Sequence, residues 1–149
     1  MVAVKLLGPG DLGLMHAMIG MFGAAFDDTA SYDHARPDAV WLTRLLDSET
    51  FIALAALEDG VVVGGIAAYV LDKFEQARRE VYLYDLAVAE AFRRRGIATA
   101  LIGELKRVAK SRDAYVIFVQ ADLGDDPAIA LYEGLGTRED VLHFDINPV

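Results

Sequence analysis

The sequence predicts a mixed α/β fold, one sheet with helices on both faces. Three observations carry that prediction. β-rich runs recur at residues 50–57, 61–71, 80–88 and 114–120. Apolar stripes at three- and four-residue spacing fall before, between and after them, as amphipathic helices require. A chain of 149 residues that is 54% hydrophobic can also bury roughly two-thirds of its unfolded surface in one core. A single domain over residues 1–149 is therefore expected.

Residues 2–7 read as a short first strand, closed by Gly8, Pro9 and Gly10. Asp11 is placed to cap a helix whose Leu14, Met15, Met18, Met21, Phe22 and Phe26 share a face. Residues 27–38 are polar, hold Asp27, Asp28, Asp33 and His34, and read as a loop that could line a cleft. Pro37 suits the first position of a second helix through Val40, Trp41, Leu45 and Leu46, with Trp41 read as core. Glu58-Asp59-Gly60 joins the next two runs as a hairpin with glycine in its turn. Residues 80–88 form a third long strand, and 97–112 a helix with Ile97, Leu101, Leu105 and Val108 on one stripe. A strand at 114–120 and a short helix at 127–135 follow. Alternation over 139–146 predicts a last strand.

Composition excludes several functions. Without cysteine there is no disulfide framework, Cys-ligated zinc, iron–sulfur cluster or thiol catalysis. His34 and His143 lack the spacing of a metal site, and no metal is expected. The longest apolar stretch, residues 61–71, is far short of the ~20 residues of a membrane span, so no membrane partner is expected. Residues 1–11 show neither the charged leader nor the long apolar segment of a secretory signal, and a cytoplasmic protein is expected. A net charge of −9 argues against nucleic acid and anionic lipid as partners. The charge is also uneven: residues 93–112 carry +6 and the remainder −15. One segment suits an anion, and the rest of the surface a cation.

The basic segment follows a strand. In residues 84–101 (YDLAVAEAFRRRGIATAL) the chain passes from that strand through an arginine-rich loop into Gly96 and a helix start. Free N–H groups of a first helical turn and the helix dipole attract an anion, and glycine lets a phosphate approach the backbone. Arg93, Arg94 and Arg95 add charge there, and Thr99 a hydroxyl. The pattern is neither G-x-G-x-x-G nor G-x-x-x-x-G-K-[ST], so neither NAD nor ATP is implied.

Arg93-Arg94-Arg95-Gly96-Ile97-Ala98 resembles the [RQ]-x-x-G-x-[GA] pyrophosphate loop of the GCN5-related N-acetyltransferases. Ala128, Leu131, Tyr132 and Gly136 (A-x-x-L-Y-x-x-x-G) follow and strengthen the resemblance. It implies that family's fold, a twisted mixed sheet with a splayed centre, and acetyl-CoA as cosubstrate. It also implies that main-chain amides of Leu86, Ala87 and Val88 hold the pantetheine arm and polarise the thioester carbonyl. The pyrophosphate would take main-chain N–H groups of Arg94, Arg95, Gly96, Ile97, Ala98 and Thr99, with Arg93 adding charge. Tyr132 would protonate the departing thiolate.

A finer resemblance covers nearly the whole chain. The blocks FIALAA (51–56), KFEQ (73–76), YDLAV (84–88), VQAD (119–122), GDDPA (124–128) and HFDI (143–146) resemble the short, class I aminoglycoside 3-N-acetyltransferases. Asp125 stands where the wider family often has asparagine, and Thr137 where phenylalanine is usual; both departures agree with the class I pattern. The resemblance implies direct acetyl transfer to the 3-amino group of a 2-deoxystreptamine aminoglycoside in a ternary complex, giving antibiotic resistance. Dimers are frequent in the family, so a homodimer through the apolar final strand is an expectation of the same kind.

Chemistry points independently to a cationic amine. An ammonium must lose a proton before it can attack a thioester. Asp85 is a lone carboxylate in an apolar, aromatic strand, unfavourable to bury without a partner or a task, and is the candidate base or ammonium anchor. Tyr84 alternates to the opposite face unless a bulge intervenes, and contacts substrate only in the bulged case. Asp122 and Asp125 are candidate ammonium anchors, with Asp126 the residue best placed as a pure N-cap. Glu75 and Asp145, in class-typical blocks, are further candidate anchors. The same features would serve acetyl transfer to a polyamine or protein amine, or a non-catalytic acetyl-CoA sensor. Asp85 and Tyr132 together favour an enzyme. With no cysteine and no serine in a nucleophile setting, no covalent acetyl-enzyme is expected.

Overall fold

Residues 51–56 are buried without interruption, the pattern of a strand covered on both faces. They begin β2 (Phe51–Glu58), which lies between β1 (Ala3–Leu6) and β3 (Val61–Asp72) in a sheet completed by β4 (Arg79–Val88) and β5 (Ala114–Val119). Spatial order follows chain order; the first four strands are antiparallel neighbours and β5 runs parallel to β4. The computed structural model describes all 149 residues in two units, Met1–Val119 and Gln120–Val149. The first unit holds the sheet with α1 (Leu12–Ala25), α2 (Thr29–Asp33), α3 (Ala39–Leu46) and α4 (Ile97–Ser111); the second holds α5 (Asp126–Glu133). No helix is long and apolar enough to cross a membrane.

Two adjacent glycines show how the sheet is covered. A Cβ on Gly65 would lie 2.5 Å from the sulfur of Met18 on α1, and one on Gly64 would lie 3.2 Å from Ile97 Cγ2 on α4. Neighbouring strand residues face opposite ways, so α1 and α4 cover opposite faces. On the α1 face Phe51, Ala53 and Ala55 pack with Met15, Met18, Phe22, Leu42 and Leu46. On the other, the predicted stripe of Ile97, Leu101, Leu105 and Val108 is buried. Burying one such side chain contributes about 1.5–3 kcal/mol, and Met18, Leu101 and Leu105 are fully buried.

Two irregularities in β4 shape the centre of the sheet. Its parallel register with β5 runs from Arg79 opposite Ala114 to Leu83 opposite Val119 and stops there. Residues 84–88 therefore have no strand neighbour on that edge, which is the splayed centre that the family resemblance implies. On the other side Ala67 pairs with Asp85 while Ala68 pairs with Leu83, leaving Tyr84 as the extra residue of a β-bulge.

Several sequence expectations are corrected. Asp11 precedes α1 but does not cap it, because its carboxylate accepts from the Gly8 N–H at 2.8 Å and the Lys5 ammonium at 2.7 Å. These donors hold its pKa below the usual carboxylate value, the Gly8 bond contributing most. Asp38, not Pro37, adjoins α3, accepting from the Trp41 N–H at 2.9 Å. Residues 27–38 are not all loop, since α2 forms within them. Asp125 rather than Asp126 caps α5, accepting from the Ala128 N–H at 3.4 Å; Asp126 is the first helical residue. Finally, residues 139–146 form no strand. Alternation makes a segment competent for a sheet, but ladder hydrogen bonds make it a strand.

Candidate active site

The bulge at Tyr84 sets up a site in the first unit. Without it Tyr84 and Asp85 would point to opposite faces; with it both line one cavity of about 220 Å³. Met15, Ile19 and Phe22 of α1, Trp41, Leu42 and Leu45 of α3, and Phe51 and Tyr69 of the sheet supply its apolar and aromatic wall. Tyr69 meets Tyr84 edge-on at 5.5 Å and Phe51 at 5.4 Å. Asp85 is the only carboxylate on the lining, and Tyr32 of α2 lies beside it. An aromatic wall with one carboxylate suits an organic cation, which gains from both ring faces and negative charge.

Tyr32 Oη donates to Asp85 Oδ2 at 2.7 Å. Burial pushes the Asp85 carboxyl above its ordinary value, and the Tyr32 bond partly opposes that. Burial, followed by the bond to Asp85, pushes the Tyr32 phenol far up, so it remains a neutral donor. Local chemistry holds α2 in place. Asp28 caps it by accepting from the Ser31 N–H at 3.1 Å. Arg36 then ties it to α1: Nε donates to the Tyr32 carbonyl at 3.0 Å, Nη1 to the His16 carbonyl at 3.0 Å, and Nη2 to Asp33 at 2.8 Å. Asp28 and Asp33, candidate cleft residues in the sequence, are thus occupied in building α2.

The arginine loop has the local geometry of an anion cradle. Arg94 (φ 64°) and Gly96 (φ 76°) are left-handed, and α4 starts just after Gly96 without a side-chain cap. The first-turn N–H groups of Ile97, Ala98 and Thr99 are therefore left for an anion. A Cβ on Gly96 would meet nothing within 4 Å, so the space above it is open. The three arginines are not equivalent. Arg93 Nε turns back to the Val88 carbonyl at 3.0 Å and Arg95 lies 3.6 Å from Glu58, whereas Arg94 forms no ion pair. Part of the basic segment is structural: Arg107 pairs with Glu104, and Arg112 donates to the carbonyls of Glu49 and Phe51. Leu86, Ala87 and Val88 follow Asp85 on the stretch of β4 that β5 does not reach.

Of the proposed ammonium anchors in the first unit, Glu75 is not brought to Asp85. It lies in the β3–β4 connection, at the end of β4 away from Leu86, 3.5 Å from Lys73. In the second unit Asp122 and Asp125 are exposed and linked by the Asp125 N–H donating to the Asp122 carbonyl at 3.1 Å. Asp145 is exposed beside His143, 2.9 Å away. Tyr132 is half-buried on α5; burial, then the charge of Asp125, pushes its phenol up and keeps it protonated.

Two site residues escaped the sequence reading. Trp41 is half exposed on the cavity wall rather than core, with Arg44 over its ring at 4.6 Å. Tyr32 lies in a segment with no helical periodicity. The one available signal was an aromatic residue in an otherwise acidic, polar loop.

Comparison with known proteins places this geometry in a context. Residues 16–137 match the acetyltransferase (GNAT) family. A crystal structure of an aminoglycoside acetyltransferase from an uncultured soil metagenomic sample is 56% identical, covering 100% of this chain and 99% of that one, with a TM-score of 0.98. A second soil-metagenome aminoglycoside acetyltransferase, solved in complex with sisomicin, is 30% identical over 98% of this chain and 95% of its own, with a TM-score of 0.89. The N-alpha-acetyltransferase of Saccharolobus solfataricus is 32% identical over 91 residues, 56% of this chain; the match spans about half the length of that relative (54%).

Proposed function

The chain belongs to the acetyltransferase (GNAT) family, and we propose that its 149 residues act as one domain transferring acetyl from acetyl-CoA to the 3-amino group of a 2-deoxystreptamine aminoglycoside, conferring resistance. The observation that carries this reading is Asp85, a partly desolvated carboxylate in an aromatic cavity, immediately before Leu86, Ala87 and Val88. Two aminoglycoside acetyltransferases at 56% and 30% identity over almost the whole chain support it.

Acetyl-CoA supplies the thioester, and the loop fits its phosphates: two left-handed residues, an uncapped helix start and open space above Gly96. Arg94, Arg95, Gly96, Ile97, Ala98 and Thr99 hold the pyrophosphate through N–H groups, and Leu86, Ala87 and Val88 hold the pantetheine arm and carbonyl. Asp85 first anchors the acceptor ammonium and then takes its proton. A carboxylate whose pKa is raised by burial binds a proton more tightly and is the better base. The neutral nitrogen attacks the carbonyl carbon; as the C–N bond forms and the C–S bond breaks, Tyr132 gives its proton to the leaving sulfur. The nitrogen's second proton passes through water to restore the Tyr132 phenol, and the proton held by Asp85 returns to solvent. Asp122, Asp125 and Asp145 anchor the remaining ammonium groups. Glu75, already near Lys73, is the weakest of the proposed anchors.

A thiol-release assay across aminoglycosides, polyamines and a peptide with a free N-terminus tests the reading. Release with aminoglycosides alone supports it. Release only with a polyamine or peptide moves the activity to another amine, and none with any amine leaves an acetyl-CoA-binding domain.

A further inference from the structure

Asp85 has one side-chain hydrogen-bond partner in the chain, and that partner lies outside the acetyl-CoA loop and the proposed ammonium anchors. We propose that Tyr32 is a positioning residue for the acceptor amine: its hydroxyl pins Asp85 Oδ2 and leaves Oδ1 as the oxygen that meets the amine and takes its proton. The inference rests on the reading of Asp85 as the base.

The packing around Tyr32 is specific to this placement. Its ring lies 6.2 Å from Phe22 in the last turn of α1 and 5.7 Å from Phe26 just past its end. Its side chain lies so close to α1 that a Cβ on Gly23 would sit 3.0 Å from the Tyr32 Cβ. Its carbonyl is held by Arg36, which also grips His16. The ring, backbone and carbonyl are therefore fixed before the hydroxyl reaches Asp85. A carboxylate's terminal torsion is broad, so the plane of a free Asp85 carboxylate would wander. One short bond from a rigid donor occupies one oxygen and fixes the carboxylate plane, which leaves the other oxygen free for the amine.

Tyr32 acts through Asp85 rather than in the proton transfer itself. Its phenol is held far above its ordinary value by burial and by Asp85, so it neither accepts the amine proton nor yields its own. The other titratable groups facing this pair are Tyr84 on β4, Tyr69 on β3, Tyr82 on β4, and Asp28 at the start of α2. None of them is cationic, and Arg36 is turned to backbone carbonyls, His16 and Asp33. Tyr32 is thus the one group that draws the Asp85 carboxyl back down against burial.

Tyr32→Phe removes that single oxygen. With an aminoglycoside and acetyl-CoA, kcat should fall about tenfold or more, as for loss of a hydrogen bond to a charged group, while KM for acetyl-CoA stays unchanged. The ¹³C-detected titration of the Asp85 carboxyl in the free protein should move to higher pH. Fluorotyrosine placed at position 32 alone, a stronger donor, should move it to lower pH and keep activity. A tyrosine that only packs α2 would leave kcat unchanged in Tyr32→Phe. An unchanged kcat and unchanged Asp85 titration in Tyr32→Phe overturn the proposal, and the fluorotyrosine protein decides it should the Phe variant not fold. Asp85→Asn separates the two readings: full activity there refutes Asp85 as base, whereas an inactive Asp85→Asn beside an unaffected Tyr32→Phe refutes only the role of Tyr32.

Discussion

The hydroxyl of Tyr32, on a five-residue helix, donates to Asp85 Oδ2 on β4 at 2.7 Å, across 53 positions of sequence. The bond joins α2 to β4 at the aromatic cavity, and the bulge at Tyr84 turns Asp85 toward it. The carboxylate is consequently both poorly solvated and held in a fixed orientation.

The first prediction concerns that carboxylate in catalysis. Asp85→Asn keeps the shape and an acceptor for Tyr32 but removes the base, so kcat should fall by about 10²–10⁴-fold. The deficit should shrink as pH rises, because more of the amine then arrives already deprotonated. Steady-state rates across the pH range check this; a deficit that is constant with pH would remove proton acceptance from the role of Asp85.

The same substitution should have the opposite effect on stability. Burial raises the folded-state pKa of Asp85 above its unfolded value, so within that window the native state binds more protons than the unfolded one. Stability therefore falls as pH rises through the window, and above it the ionised carboxylate is unfavourable. Asp85→Asn should melt higher than the parent at neutral pH and converge with it as pH drops below the carboxylate range. Thermal melts at several pH values decide it, and a lower melting temperature at neutral pH would contradict the sign.

Gly96→Val tests the anion cradle. At φ 76° an L residue costs about 1–2 kcal/mol, and branched methyl groups would occupy the open space above the loop. The expected result is a somewhat lower melting temperature with a KM for acetyl-CoA raised at least tenfold. Normal acetyl-CoA kinetics in a folded variant would place the pyrophosphate elsewhere.

Tyr132→Phe should lower kcat by about 10²–10⁴-fold with substrate affinity nearly intact, the mark of an interaction made in the transition state. The phenol's upward shift keeps the wild-type hydroxyl protonated through the neutral range, so no basic limb from Tyr132 is expected there. A loss below about threefold would assign protonation of the thiolate to water.

Most of the fold was legible because burial period and turn chemistry agree in β2, β3, β4 and α4, where tertiary packing reinforces the local pattern. The loop at Arg93 to Gly96 was legible for a similar reason, since strand, glycine and helix start follow one another in sequence. Tyr32 was not, because a five-residue helix buries no residue and carries no periodicity; its importance comes from a contact made 53 positions away. The face of Tyr84 was open for a related reason: an extra residue in one strand is defined only against its neighbour. Residues 139–146 misled in the reverse direction, with a strand-like pattern and no strand.

The most direct test of the central claim is the position of the acetyl group on gentamicin after incubation with acetyl-CoA and this protein, read by mass and NMR. The account predicts a single added acetyl, on the 3-amino nitrogen of the 2-deoxystreptamine ring, lost in Asp85→Asn at neutral pH. Acetyl on a different amine would contradict the proposed regiochemistry, and no acetylation of gentamicin or any other aminoglycoside would contradict the proposed function itself.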